Sequence, residues 1–148
     1  RLSVTSSQEM ITISNNPLFN DNTVIAAVNA VTALLNSGFI AIYTGGQPAL
    51  DGGLTGTQLV EMTFGATAFP ASTASGGTVT ATASAITNGT ASNTGTAGYF
   101  ALLKSDNSTV VATGSVGTSG ADLNLSTLSI VSGAVVSCSS FSITQAQT

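Results

Sequence analysis

The chain has 148 residues, a net charge of −4 and a charged fraction of only 5%, with one cysteine, Cys138, and neither histidine nor tryptophan. Two basic residues, Arg1 and Lys104, cannot neutralise a run of phosphates, so nucleic acid is excluded as a partner. Ser-His and Cys-His catalysis, a His/Cys zinc site and an intrachain disulfide are excluded by the same inventory, and no cofactor is implied.

Ser and Thr fill the space left by charge, at roughly two residues in seven. Hydrophobic residues still make up 43% of the chain, which sets it apart from disordered sequences. Thr and Val favour pleated, half-buried surfaces, so the bias points to β-structure.

Residues 1–20 read as an N-terminal arm or a pair of edge strands. Leu2 and Val4 share one face, Met10 precedes the alternating pair Ile11 and Ile13, and Asn15-Asn16-Pro17 turns the chain towards Leu18 and Phe19. These seven apolar residues, Leu2, Val4, Met10, Ile11, Ile13, Leu18 and Phe19, are the candidate interaction segment.

A helix is expected over about 22–36, with Asp21 or Asn22 as N-cap. Val24, Val28, Val31 and Leu35 recur at helical spacing, widened by Ile25, Ala27 and Leu34, and predict the buried stripe. Asn22, Asn29 and Asn36, with Thr32, predict a narrow polar face. Gly38 is expected to end the helix in the left-handed conformation. Val24–Leu35 is the longest apolar run, and Asn29 and Thr32 interrupt it, so no membrane span is expected.

Beyond Gly38 the period changes from 3.6 to 2. Strands are expected at Phe39–Tyr43 and at Leu59–Phe64, with Val60, Met62 and Phe64 facing the core and Leu59, Glu61 and Thr63 facing away. Thr78–Ile86 reads as one long strand, followed by a hairpin turn at Asn88-Gly89. Tyr99–Lys104 and Thr109–Thr113 read as strands, Gly114, Gly117 and Gly120 as loop punctuation, and Val135–Ile143 as the last strand. Eight or nine short strands between turn signals predict a mainly β fold: one antiparallel β-sandwich over 21–148, jelly-roll or immunoglobulin-like, with one short N-terminal α-helix.

The carboxylates Asp51 with Glu61, and Asp106 with Asp122, are the pairs available for glycosidase-type chemistry. Asp51, Asp106 and Asp122 sit beside Gly, Asn or Ala and read better as turn residues, so the chain is expected not to be an enzyme and to hold no metal. Cys138 reads as an inert thiol. Strand edges without lysine or proline protection, on a nearly uncharged chain, predict a structural role in a multimer.

The run Gly38-Phe39-Ile40-Ala41-Ile42-Tyr43-Thr44-Gly45 with Pro48 after a short helix resembles small virion proteins of tailed bacteriophages. Thr94–Phe100, Gly114–Gly117, Gly120–Leu125 and Ser140–Thr144 follow in the same order, so the resemblance covers about residues 22–145. Where that family often has an arginine after the aromatic pair, this chain has Ala101. The resemblance implies a β-sandwich virion component made in the host cytoplasm. A capsid cement or decoration protein on the capsid surface comes first, a homo-oligomer whose partners are the major capsid protein or other virion proteins. A tail or fibre component, or a host-glycan-binding module, is the alternative.

Overall fold

The computed structural model describes residues 19–49 and 51–146. The chain is mainly β, with one helix and predominantly antiparallel sheets. Among the described residues no helix is long and apolar enough to cross a membrane.

Helix α1 spans Asp21–Ala33. Its N-cap is Asn20 rather than Asp21 or Asn22, because the Asn20 Oδ1 accepts from the backbone N–H of Thr23 at 2.9 Å. Asn20→Ala should lower the stability of the fold by about 1 kcal/mol. A urea titration reads this loss, and an unchanged midpoint would show that Thr23 finds another acceptor. At the other end the left-handed residue is Ser37 (φ 53°), not Gly38. Gly38 is required for a different reason: a Cβ there would collide with the carbonyl oxygen of Leu103 on the neighbouring strand.

Twelve strands follow among the described residues. β1 (Phe39–Thr44), β2 (Gln58–Phe64), β5 (Ile86–Thr87), β7 (Gly95–Leu103), β8 (Val110–Gly117) and β9 (Leu123–Asn124) form a curled sheet in the order β5-β2-β1-β7-β8-β9. β10 (Ser129–Ile130) pairs with the start of β7, and β9 runs parallel to β8. β3 (Thr73–Ser75), β4 (Thr78–Thr82) and β12 (Ser142–Ala146) form a second sheet in the order β12-β4-β3, and β6 (Gly89–Thr90) pairs with β11 (Val135–Val136).

The main core lies where the curled sheet, the small sheet and α1 meet. Ile40 and Ile42 of β1, Val60, Met62 and Phe64 of β2, and Phe100 and Leu102 of β7 all face it. Val60, Met62 and Phe64 point inward as the period-2 pattern predicts. Leu59, expected outside, is fully buried in the same core. Ile42 pairs with Val60 while Tyr43 pairs with Gln58, so Leu59 is an extra residue in a bulge, and the bulge re-aims it inward.

The far side of the curled sheet is buried too. Ala41, Tyr43, Tyr99, Ala101 and Leu103 form a second cluster, with Leu54 of the 45–57 loop packed on it. Tyr43 and Tyr99 stack at 5.2 Å, and the Tyr99 hydroxyl donates to the carbonyl of Thr55 at 2.6 Å while accepting from its N–H at 2.9 Å. One side chain thus pins the loop across the sheet.

Four expectations along the chain are corrected. Thr78–Ile86 is not one strand: β4 ends at Thr82, where Ser84 N–H donates to Ala68 O, and β5 belongs to the other sheet. Asn88-Gly89 therefore closes no hairpin, since β5 pairs with β2 and β6 with β11. Val135–Ile143 is likewise divided between β11 and β12, which belong to different sheets. Gly114 and Gly117 lie inside β8 rather than in a loop, with the Phe100 ring packed against Gly114 where a Cβ would stand.

Candidate interaction surface

α1 packs on the face of the small sheet that carries Val79, Ala81 and Ile143, burying Val24, Val28 and Leu35 of the predicted stripe but not Val31. Val24, Val28, Thr32 and Leu35 are buried, whereas Val31 and Leu34 are 46% and 44% exposed. The asparagines explain the rotation. Asn29 Oδ1 accepts from Ser72 N–H and Asn36 Oδ1 from Ala68 N–H, both at 2.9 Å. The polar stripe is spent on the backbone of the connection leading to β3, where unpaired N–H groups would be costly. Thr32 follows it inward, its hydroxyl donating to Asn29 O at 3.2 Å.

An apolar flank of the helix is left uncovered. Between it and β12 runs a groove of about 410 Å³, lined by Phe19, Val24, Val28 and Val31 from the helix side and by Ile143 and Ala146 from β12. Phe19, 55% exposed, is the one predicted interaction residue placed here. Leu2, Val4, Met10, Ile11, Ile13 and Leu18 lie outside the described residues. Val31, Ile143 and Ala146 are absent from the predicted interaction segment, and helical spacing alone places Val31 in the core. The seven-residue spacing of Asn29 and Asn36 is the signal that points to the rotation, once it is taken as a hydrogen-bonding face.

Open sheet edges accompany the groove. β5 and β9 end the curled sheet, and β3 and β12 end the small one. None of these four strands contains a charged residue or a proline. Such edges present unpaired N–H and C=O groups to any extended segment that reaches them.

The carboxylates are held by local hydrogen bonds. Asp106 accepts from the Thr109 hydroxyl at 2.6 Å and from the N–H groups of Thr109 and Ser108 at 2.8 and 2.9 Å. Asp122 accepts from the Ser115 hydroxyl at 2.7 Å and its N–H at 2.9 Å, tying the turn before β9 to β8. In each case the side-chain hydroxyl, then the backbone N–H, holds the carboxyl below its usual value of 3.8. Glu61 accepts from the Gln58 amide at 3.0 Å, and Asp51 occupies a left-handed turn position (φ 59°).

A pH dependence follows. Both aspartates have folded pKa values depressed below 3.8, so their contribution is complete above about pH 4 and is lost as pH falls through the depressed values. Urea midpoints should fall between pH 5 and pH 2.5, and Asp106→Asn with Asp122→Asn should flatten that fall. An equally steep fall in the double variant would place the acid sensitivity elsewhere.

Burial, then Tyr99 and Glu61, raises the Tyr43 hydroxyl pKa. Both tyrosines are buried against each other, so neither offers a sugar-stacking face. Cys138 is half-buried, its thiol donating to Ser140 O at 3.3 Å, and burial raises its pKa. A thiol with a raised pKa is a poor nucleophile.

Fold and surface together define, among the described residues, a mainly β protein with uncharged open edges and an apolar groove. No protein-family model, no curated protein and no solved structure matches the chain.

Proposed function

We propose that this chain is a structural subunit of a tailed-bacteriophage virion, a capsid cement protein that binds between major capsid subunits and stabilises the shell. In this reading the curled sheet is one layer of a β-sandwich, and the small sheet with α1 is the other.

The observation that carries the proposal is the set of four edge strands without charge or proline. Proteins that circulate alone usually block such edges, and their surfaces are roughly 25–35% charged. A chain with 5% charged residues that occupies a fixed lattice position has neighbours to cover its edges instead. The resemblance of the ordered motifs, from Gly38–Gly45 to Ser140–Thr144, to small virion proteins supports a virion as that lattice. The stacked, buried Tyr43 and Tyr99 favour a structural role over a glycan-binding one.

Stripping the protein from purified virions should lower the temperature at which they release their genome, and adding it back should restore it. Particles whose release temperature is the same with and without the protein would overturn the cement reading.

A further inference from the structure

Asn88-Gly89 closes no hairpin and instead links β5, in the curled sheet, to β6, which pairs with β11. Asn88 is exposed, and its side chain makes no hydrogen bond among the described residues. Gly89 is buried, and a Cβ there would overlap the carbonyl oxygen of Glu61, so the fold requires glycine after this asparagine. Two other asparagines precede a serine, and in both the following nitrogen is tied. Ser37 N–H donates to Gly65 O at 2.9 Å while Asn36 accepts from Ala68 N–H, and Ser108 N–H donates to the Asp106 carboxylate at 2.9 Å. The Gly89 nitrogen depends on the β6–β11 ladder, where Gly89 stands opposite Val136 and Ala91 N–H donates to Ala134 O at 2.8 Å. By alternation Gly89 N–H is the next donor, towards Val136. That ladder has two registered pairs and includes the exposed Val135, so it opens locally more readily than the pairing of β1 with β7.

We propose that Asn88-Gly89 is a site of spontaneous deamidation in the folded protein, gated by opening of the β6–β11 pair. Once released, the Gly89 nitrogen bonds to the side-chain carbonyl carbon of Asn88. The bond from that carbon to the amide nitrogen breaks, and ammonia leaves carrying the Gly89 proton. Water then adds to either carbonyl of the cyclic imide and breaks its bond to the Gly89 nitrogen, which regains a proton. The products are aspartate or isoaspartate, each ionised at neutral pH, and nothing is oxidised or reduced. Glycine suits this attack because it has no side chain to crowd the nitrogen. The isoaspartyl product carries an extra backbone carbon just before Gly89, where the Glu61 carbonyl leaves no slack. β6 should therefore fail to pair again with β11, so each event leaves a permanent opening and an added negative charge. The reaction does not depend on the virion reading.

Peptide mass spectrometry of the full chain tests this, after ageing at mildly alkaline pH both folded and in urea. Each asparagine then has a ratio of its unfolded to its folded deamidation rate. The ratio at Asn88 should be at least about tenfold smaller than those at Asn36 and Asn107. A ratio at Asn88 as large as theirs would overturn the proposal, because the fold would shield all three sites alike. Val136→Pro deletes a donor of the β6–β11 ladder and should speed the folded-state reaction at Asn88 by about tenfold or more, with Asn107 unchanged. An unaltered rate at Asn88 would overturn the gating. Should that variant fail to fold, amide exchange in the unaltered chain decides. The Gly89 amide should exchange faster than those of β1 and β7, and exchange as slow as theirs contradicts an opening at this ladder.

Discussion

Phe141→Ala should destabilise the protein by about 3–5 kcal/mol, a large fraction of the stability of a typical domain. Phe141 is the residue at which the two sheets are joined by aromatic packing. Its ring lies 5.7 Å from Phe100 of β7, 6.4 Å from Phe64 of β2 and 6.5 Å from Phe69, all in edge-on geometry. Phe64 and Phe69 also pack on each other at 5.5 Å. Truncation leaves a cavity walled by three rings, each held by its own strand or connection, so little collapse is available to fill it. Urea denaturation measures the loss, and a loss under about 1 kcal/mol would mean that the rings close over the gap. Val135→Ala, at a residue 68% exposed, should stay within about 0.5 kcal/mol and serves as the control.

Gly98→Ala is the second large effect, although it adds a single methyl group. Tyr43 pairs with Tyr99 and Thr44 with Ala97, so Gly98 is an extra residue in a bulge of β7. A Cβ at Gly98 would overlap the carbonyl oxygen of Gly45, backbone against backbone, with no side chain free to yield. Gly45 itself is left-handed (φ 85°) and opens the loop that Tyr99 pins through Thr55. Relief therefore requires moving the loop off the Tyr43–Tyr99 stack. The variant should lose about 1–3 kcal/mol or more, with a change in tyrosine fluorescence, which no tryptophan obscures. Gly46→Ala, where a Cβ meets nothing, should be neutral or slightly stabilising. Equal stability of the Gly98 and Gly46 variants would show that the bulge relaxes freely.

Period and turn chemistry make the strand content and the inward face of β2 legible, because Val60, Met62 and Phe64 alternate without a break. The same alternation misassigns Leu59, since a bulge shifts the count by one residue and leaves no mark in the apolar pattern. The existence of α1 is legible from its apolar spacing, but its rotation is legible only from Asn29 and Asn36 taken as a hydrogen-bonding face. Which side of a helix faces inward depends on what waits there, and here it is the N–H groups of Ala68 and Ser72. Continuous β-like runs at 78–86 and 135–143 conceal crossings between sheets, because a strand that changes partner keeps its residue period. The apolar groove is therefore visible in the sequence at Phe19 and hidden at Val31, Ile143 and Ala146.

The rarity of charge ties these features together. An uncharged strand edge is tolerable where something covers it, and the same holds for an apolar groove. Under the proposed function, neighbouring subunits are what would cover these edges.

A cryo-EM map of intact virions tests the role in the shell most directly. It should show this chain at the junctions between capsomers, with edge strands β3, β5 or β9 against major capsid subunits or another copy. Density for the chain confined to the tail or fibres, or its absence from the particle, would contradict a capsid cement role.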